Sequence, residues 1–176
     1  MSLAKLKKVL ALAPKEELMD IIVTLYGARK EAKEFLEFYL TPDVEEKAEK
    51  AWRKITKEFN RRKYGMISPR MSRVKEAIKD FASLQPGEEE VVKLTLRTVQ
   101  EAVIQSTRTA MRNQAAVSCS KMAEKLVGDS DAIGLAPYVL QVYDDTLRSP
   151  RLGPLSSPIA DSIRDIVCNS YMGSTS

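Results

Sequence analysis

Apolar residues recur every three or four positions along almost the whole chain, and hardly anywhere at every second position. The clearest stretch is TPDVEEKAEKAWRKITKEFNRRK, residues 41–63. At about 100° per residue, Val44, Ala48, Ala51, Trp52, Ile55 and Phe59 fall on one helical face. Lys47, Lys50, Lys54, Lys57 and Arg61 form a separate stripe away from it. Thr41 offers a capping hydroxyl and Pro42 a pre-shaped first helical position, so the pattern predicts a helix that starts there.

The same spacing predicts helices elsewhere. Leu3, Leu6, Val9 and Leu10 mark one over about 2–12. Leu18, Ile21, Ile22 and Leu25 mark a second from Pro14 to Tyr26, closed by Gly27. Ala32, Phe35, Leu36 and Tyr39 give a third over 28–40. After a connector at 64–68, Val74, Ala77, Ile78 and Phe81 mark a helix over 69–84, and Gln85-Pro86-Gly87 ends it. Glu88, Glu89 and Glu90 suit the positive end of a long helix carrying Val92, Leu96, Val99 and Val103. Around Thr107–Asn113 the pattern allows this helix either to break or to run on, which sets the count at nine or eight. A helix with Val117, Met122 and Leu126 then runs over 113–127 and stops at Gly128. Val139, Val142 and Tyr143 mark 135–147, and Ile159, Ile163, Ile166 and Val167 mark 158–172. Ser68 and Ser157, each directly before a proline, read as caps.

The expected fold is therefore all-α, without a sheet. Eight or nine mostly antiparallel helices form a compact bundle or a short irregular superhelix of helical hairpins. Residues 1–172 read as one domain, with 64–68 as its candidate sub-boundary and 173–176 as a frayed tail.

Composition narrows the class. The 176 residues are 44% hydrophobic and 30% charged, which suits a folded globular chain and not a disordered one. No apolar run approaches the ~18 residues that span a bilayer, so no membrane partner is expected. Lys5, Lys7 and Lys8 break up the N-terminal apolar pattern, so it does not read as a secretory leader. Two cysteines make no disulfide framework, and the expected location is the cytoplasm.

The net charge of +4 is unevenly spread. Residues 47–79 hold twelve Lys/Arg and three acids, a local +9 against −5 for the rest. Lys47, Lys50, Lys54, Lys57, Arg61, Arg62, Lys63, Arg70 and Arg73 are therefore candidate contacts for a nucleic acid or another polyanion. The plainer account is a solvated helix face, supported by Glu46–Lys50 and Glu49–Arg53 as i,i+4 pairs.

Catalysis finds little support. With no histidine in the chain, Ser-His-Asp triads, Cys-His dyads and His-containing zinc or di-metal sites are excluded. Ser118-x-x-Lys121 has the spacing of a serine–lysine pair, but so does Ser72-x-x-Lys75, and no K-T-G triplet follows. Asp129-Ser130-Asp131-Ala132-Ile133-Gly134 opens like a calcium loop. Ile133 and Leu140, however, occupy positions that need oxygen ligands, so these residues read as a helix cap after Gly128. Asp161 with Asp165, and Glu45 with Glu49, read as surface carboxylates. Trp52 reads as core, and Cys119 and Cys168 as inert packed thiols, Cys168 buried behind Ile166 and Val167. No catalytic residue, metal ligand or cofactor is assigned.

Residues 34–59, EFLEFYLTPDVEEKAEKAWRKITKEF, resemble a bacterial family of short helical proteins described as a domain of unknown function. The opening LKKVLALAPKEELMDIIVTLYGARKEAKEF and the later MSRVKEAIKDF share the likeness, which is clearest over 3–105. The resemblance implies an all-helical bacterial cytoplasmic protein and carries over no site residue. The leading expectation for function is a non-enzymatic binding module acting through a protein partner or self-association. Polyanion binding through 47–79 is the alternative, and a histidine-free enzyme comes third.

Overall fold

The computed structural model describes residues 1–173. Its helices are α1 (Leu3–Leu10), α2 (Lys15–Ala28), α3 (Lys30–Leu40), α4 (Val44–Phe59), α5 (Met71–Ser83), α6 (Glu88–Arg108), α7 (Asn113–Asp131), α8 (Ala136–Leu147) and α9 (Pro158–Gly173). The fold is all-α, as the periodicity predicts, with a single small departure. Arg62–Lys63 (β1) and Met66–Ile67 (β2) form an antiparallel hairpin. Tyr64 and Gly65 turn it with φ of 53° and 76°, the left-handed pair that a two-residue hairpin turn demands. Ile67 also donates to the Ala110 carbonyl and accepts from Arg112 N–H, which ties the α6–α7 connection to the hairpin.

The chain resolves into two compact units, residues 1–43 and 44–176. The candidate sub-boundary at 64–68 is the hairpin and its exit, inside the second unit. The expected frayed tail, 173–176, lies outside the described residues except for Gly173, which ends α9.

In the first unit, α2 and α3 pack as a helical hairpin. Tyr26 donates to Glu37 at 3.0 Å, and the Lys33 ammonium lies 5.4 Å from the Tyr26 ring centroid. No residue of α1 or α2 is buried, and α3 buries Phe38.

In the second unit, α6 is the central helix and packs on α4, α5, α7, α8 and α9. It buries Val92, Leu96, Val99 and Val103 as its stripe requires. Leu94, Thr98 and Ile104 are buried as well, so α6 is enclosed nearly all round. Ile55 and Phe59 of α4, Val74 and Phe81 of α5, Tyr143 of α8, and Ile159 and Ile163 of α9 complete the core. Buried polar groups are satisfied. The Ser106 and Ser157 hydroxyls share a hydrogen bond at 2.6 Å, and Tyr143 donates to the Ala123 carbonyl at 3.0 Å. The α8–α9 connection straps the end of α6 closely. Gly153 N–H donates to Thr107 Oγ1, and a Cβ at Gly153 would lie 2.2 Å from the Thr107 carbonyl oxygen.

Several boundaries differ from expectation. Gly27 does not close α2, which continues to Ala28, and Gly128 lies inside α7, which continues to Asp131. A helical glycine costs only about 1 kcal/mol, too little to stop a helix alone. Residues 129–131 are thus the last turn of α7 and not a cap after Gly128. Thr41 ends α3 by donating its N–H to the Glu37 carbonyl, and α4 begins at Val44, so Thr41-Pro42 does not start it. Ser68 does not cap α5; the N-cap position is Arg70, whose own N–H donates to the Glu58 carboxylate. Ser157 does cap α9, accepting from Ala160 N–H at 3.4 Å.

Candidate functional site

The first unit shows an apolar surface. Leu3, Leu6 and Val9 of α1 are exposed, as are Met19, Ile21, Ile22, Val23 and Leu25 of α2. The stripes expected to face inward in α1 and α2 therefore face outward in large part. In α3, Tyr39 is 72% exposed and Phe38 takes the buried place. The run Leu18–Ala28 carries only Asp20, Thr24 and the Tyr26 hydroxyl as polar groups, so α2 has no wide polar face to turn to water.

The basic stretch of the second unit is largely occupied by its own chain. Lys54 pairs with Asp80 at 3.1 Å, and Arg73 with Glu76 at 2.8 Å. Arg61 and Arg70 converge on Glu58, which is 5% exposed. The Arg70 guanidinium forks over that carboxylate, and Arg70 N–H donates to it at 3.0 Å. These contacts, the Arg70 side chain's foremost, hold the Glu58 pKa down at about 2 against the cost of burial. Arg62 donates to the Phe59 carbonyl at 2.7 Å, and Lys63 lies 5.4 Å from the Tyr64 ring centroid. Lys47 is half-buried, while Lys50 and Lys57 are exposed on α4. The nine candidate residues lie on α4, at the β-hairpin and at the start of α5, and none of them lines the groove between α5 and α7. Glu49, expected to pair with Arg53, instead receives Arg97 of α6. The Arg97 guanidinium lies 4.1 Å from the Trp52 ring centroid, so half-buried Trp52 carries a cation on its face.

A concavity does form in the second unit, with a volume of about 1050 Å³. The first turns of α6 make its floor, and α5 and α7 make its walls. Helix α7 touches the start of α5 where Cys119 Sγ lies 3.8 Å from Met71 Sδ, and the lining extends to Ala82 and Ile133. Ile78, Val91, Met122, Leu126 and Ile133 line it with hydrocarbon. Lys75 and Lys79 stand on one wall, Lys121 and Lys125 on the other. Lys125 pairs with Asp129 at 3.5 Å. Lys75, Lys79 and Lys121 make no ion pair among the described residues. None of these four lysines was among the nine candidates. Their signal was present as two i,i+4 lysine pairs, but nothing in the sequence places one beside the other.

The remaining motifs resolve into ordinary structure. Lys121 and Lys75 of the two Ser-x-x-Lys pairs are exposed on the groove. Asp161 pairs with Arg164 at 2.7 Å. Cys119 is buried, which pushes its thiol up to about 12. Cys168, expected to be buried, is exposed. Val117, expected inside, is exposed as well. Among the described residues no three His, Cys, Asp or Glu side chains gather as metal ligands, and no helix is long and apolar enough to cross a membrane.

No curated protein and no solved structure matches the chain. A family model does match it, over residues 1–139, well beyond the 3–105 where the resemblance is clearest. The chain belongs to that family, DUF6155, described as a family of unknown function.

Proposed function

We propose that this chain is a non-enzymatic helical binding module that associates with a protein surface, either a second copy or another protein. One observation carries the reading: α1 and α2 expose most of their apolar side chains. Folded monomers rarely leave a large contiguous apolar patch in water, and such patches mark association surfaces. A bacterial cytoplasmic setting fits the resemblance and the two free thiols.

Light scattering on the eluted full-length chain, across a range of concentrations, tests this together with capture from a bacterial lysate. The expected result is a species heavier than the monomer, or a retained partner, lost in Ile22→Asp with its helix content unchanged. A strict monomer that retains nothing overturns the proposal.

A second reading, polyanion contact, is favoured by the hairpin tip, where Arg62 and Lys63 lead into a Tyr64 that is 89% exposed. It predicts salt-sensitive anisotropy with labelled single strands, abolished by reversing Arg62 and Lys63 to glutamate. No signal at low salt removes it.

A further inference from the structure

The groove between α5 and α7 lies wholly in the second unit, is lined by other residues than α1 and α2 expose, and calls for a different occupant. Its chemistry is divided. Hydrocarbon from Val91 and Val92 of α6 meets Ile78 and Met122 of the walls, each wall carries two lysines, and Glu88 and Asp129 are the acidic residues of the lining. A wholly apolar occupant would leave the lysines unmatched, and a wholly polar anion would leave the floor wet. The occupant must therefore carry an apolar stripe with negative charge on each side.

The dimensions choose among such molecules. Along α7 the lining runs from Lys121 to Ala132, which at 1.5 Å per residue is about 16 Å, or roughly three helical turns. Small-molecule pockets reach about 1,000 Å³ and enclose most of their ligand. This groove has about 1050 Å³, at the upper end of that range. A single acyl chain would leave most of that space unfilled. An amphipathic helix laid in a groove is a recurrent mode of recognition. Lys75 and Lys79 sit one turn apart on one wall, Lys121 and Lys125 one turn apart on the other. They would face acidic side chains on both flanks of an inserted helix, each pair in step with its turns.

The geometry points to an acidic amphipathic helix of a partner protein as the ligand of this groove. Leucine-type side chains of that helix lie on Ile78, Val91 and Met122, and its flanking carboxylates pair with the lysines. Lys75, Lys79 and Lys121 are open to it, and Lys125 exchanges Asp129 for it.

Two labelled synthetic peptides test this by anisotropy on the full chain. Both carry the same leucine stripe over four turns, one with glutamate flanks and one with lysine flanks. The glutamate peptide is expected to bind at least about tenfold tighter, and less tightly as salt rises. In the triple variant Lys75→Glu, Lys79→Glu, Lys121→Glu the preference should invert. All three side chains are exposed, so unchanged circular dichroism is expected to accompany the inversion. Ile22→Asp should leave glutamate-peptide binding as it was, which separates this site from the α1–α2 surface. Equal binding of the two peptides, absence of binding, or an unaltered preference in the triple variant overturns the inference. Binding of laurate but not of the glutamate peptide overturns it too, by assigning the groove to a lipid.

Discussion

Helices α2 and α4 have opposite fates although both were read from three-to-four spacing. In α4 the stripe is narrow and the rest of the helix is charged, so Ile55 and Phe59 go to 0% exposure and the lysines face water. In α2 the apolar residues spread around the axis, and Ile22 and Val23 remain 48% and 67% exposed. Periodicity tells where a chain will coil. Whether the apolar side is then covered depends on how many other apolar sides the same unit supplies. The second unit wraps five helices around α6, whereas the first has three short helices and buries only Phe38.

The sharpest way to break this contrast is to remove the same kind of side chain from each region. Phe59→Ala should cost about 3–5 kcal/mol in chemical denaturation, because it empties a filled site in the core. Ile22→Ala should stay within about 1 kcal/mol when measured on dilute chain, because it removes little buried area. Similar losses would mean that α2 is covered after all.

Glu58→Gln comes next in size. The Glu58 pKa falls from an ordinary 4.5 to about 2 on folding. The carboxylate therefore stabilises the fold fully above pH 4.5, and that contribution fades as pH drops toward 2. The substitution should cost about 2 kcal/mol at pH 7, allowing for the solvent around the two exposed arginines. The gap between the two proteins should close between pH 4.5 and 2. A gap that persists at pH 2 would show that the loss is steric and not ionic.

Smallest is Arg97→Ala, which removes the cation over Trp52 and the partner of Glu49 together. A loss of about 0.5–1 kcal/mol is expected at low salt and less at high salt, with a shift in Trp52 fluorescence.

Much of the second unit was legible because its stripes are unambiguous. Ala51, Ile55, Phe59, Val74, Ala77, Phe81, Val99 and Val103 were all read as inward, and all are buried. Local chemistry was less legible. Gly27 and Gly128 looked like stops, yet neither exacts enough to end a helix that packing sustains. The Tyr64-Gly65 turn was missed because its strands are only two residues long and show no alternation. The groove was out of reach for another reason. Lys75 and Lys121 become neighbours across it through the packing of α5 and α7 on α6, a relation that no short stretch of chain contains. The basic stretch shows the reverse relation. Its charges are adjacent in sequence, but Asp80, Glu76 and above all Glu58 had already claimed many of them.

Gly153 and its neighbours carry one last implication. The family pattern stops at residue 139, but Tyr143, Ile159, Ile163 and Val167 roof the back of the second unit, with the Gly153 strap laced across the end of α6. A protein trimmed to the recognisable portion would be like a walnut half without its shell, its kernel of valines open to the solvent. The residues after 139 are thus as much a part of this core as the helices they cover.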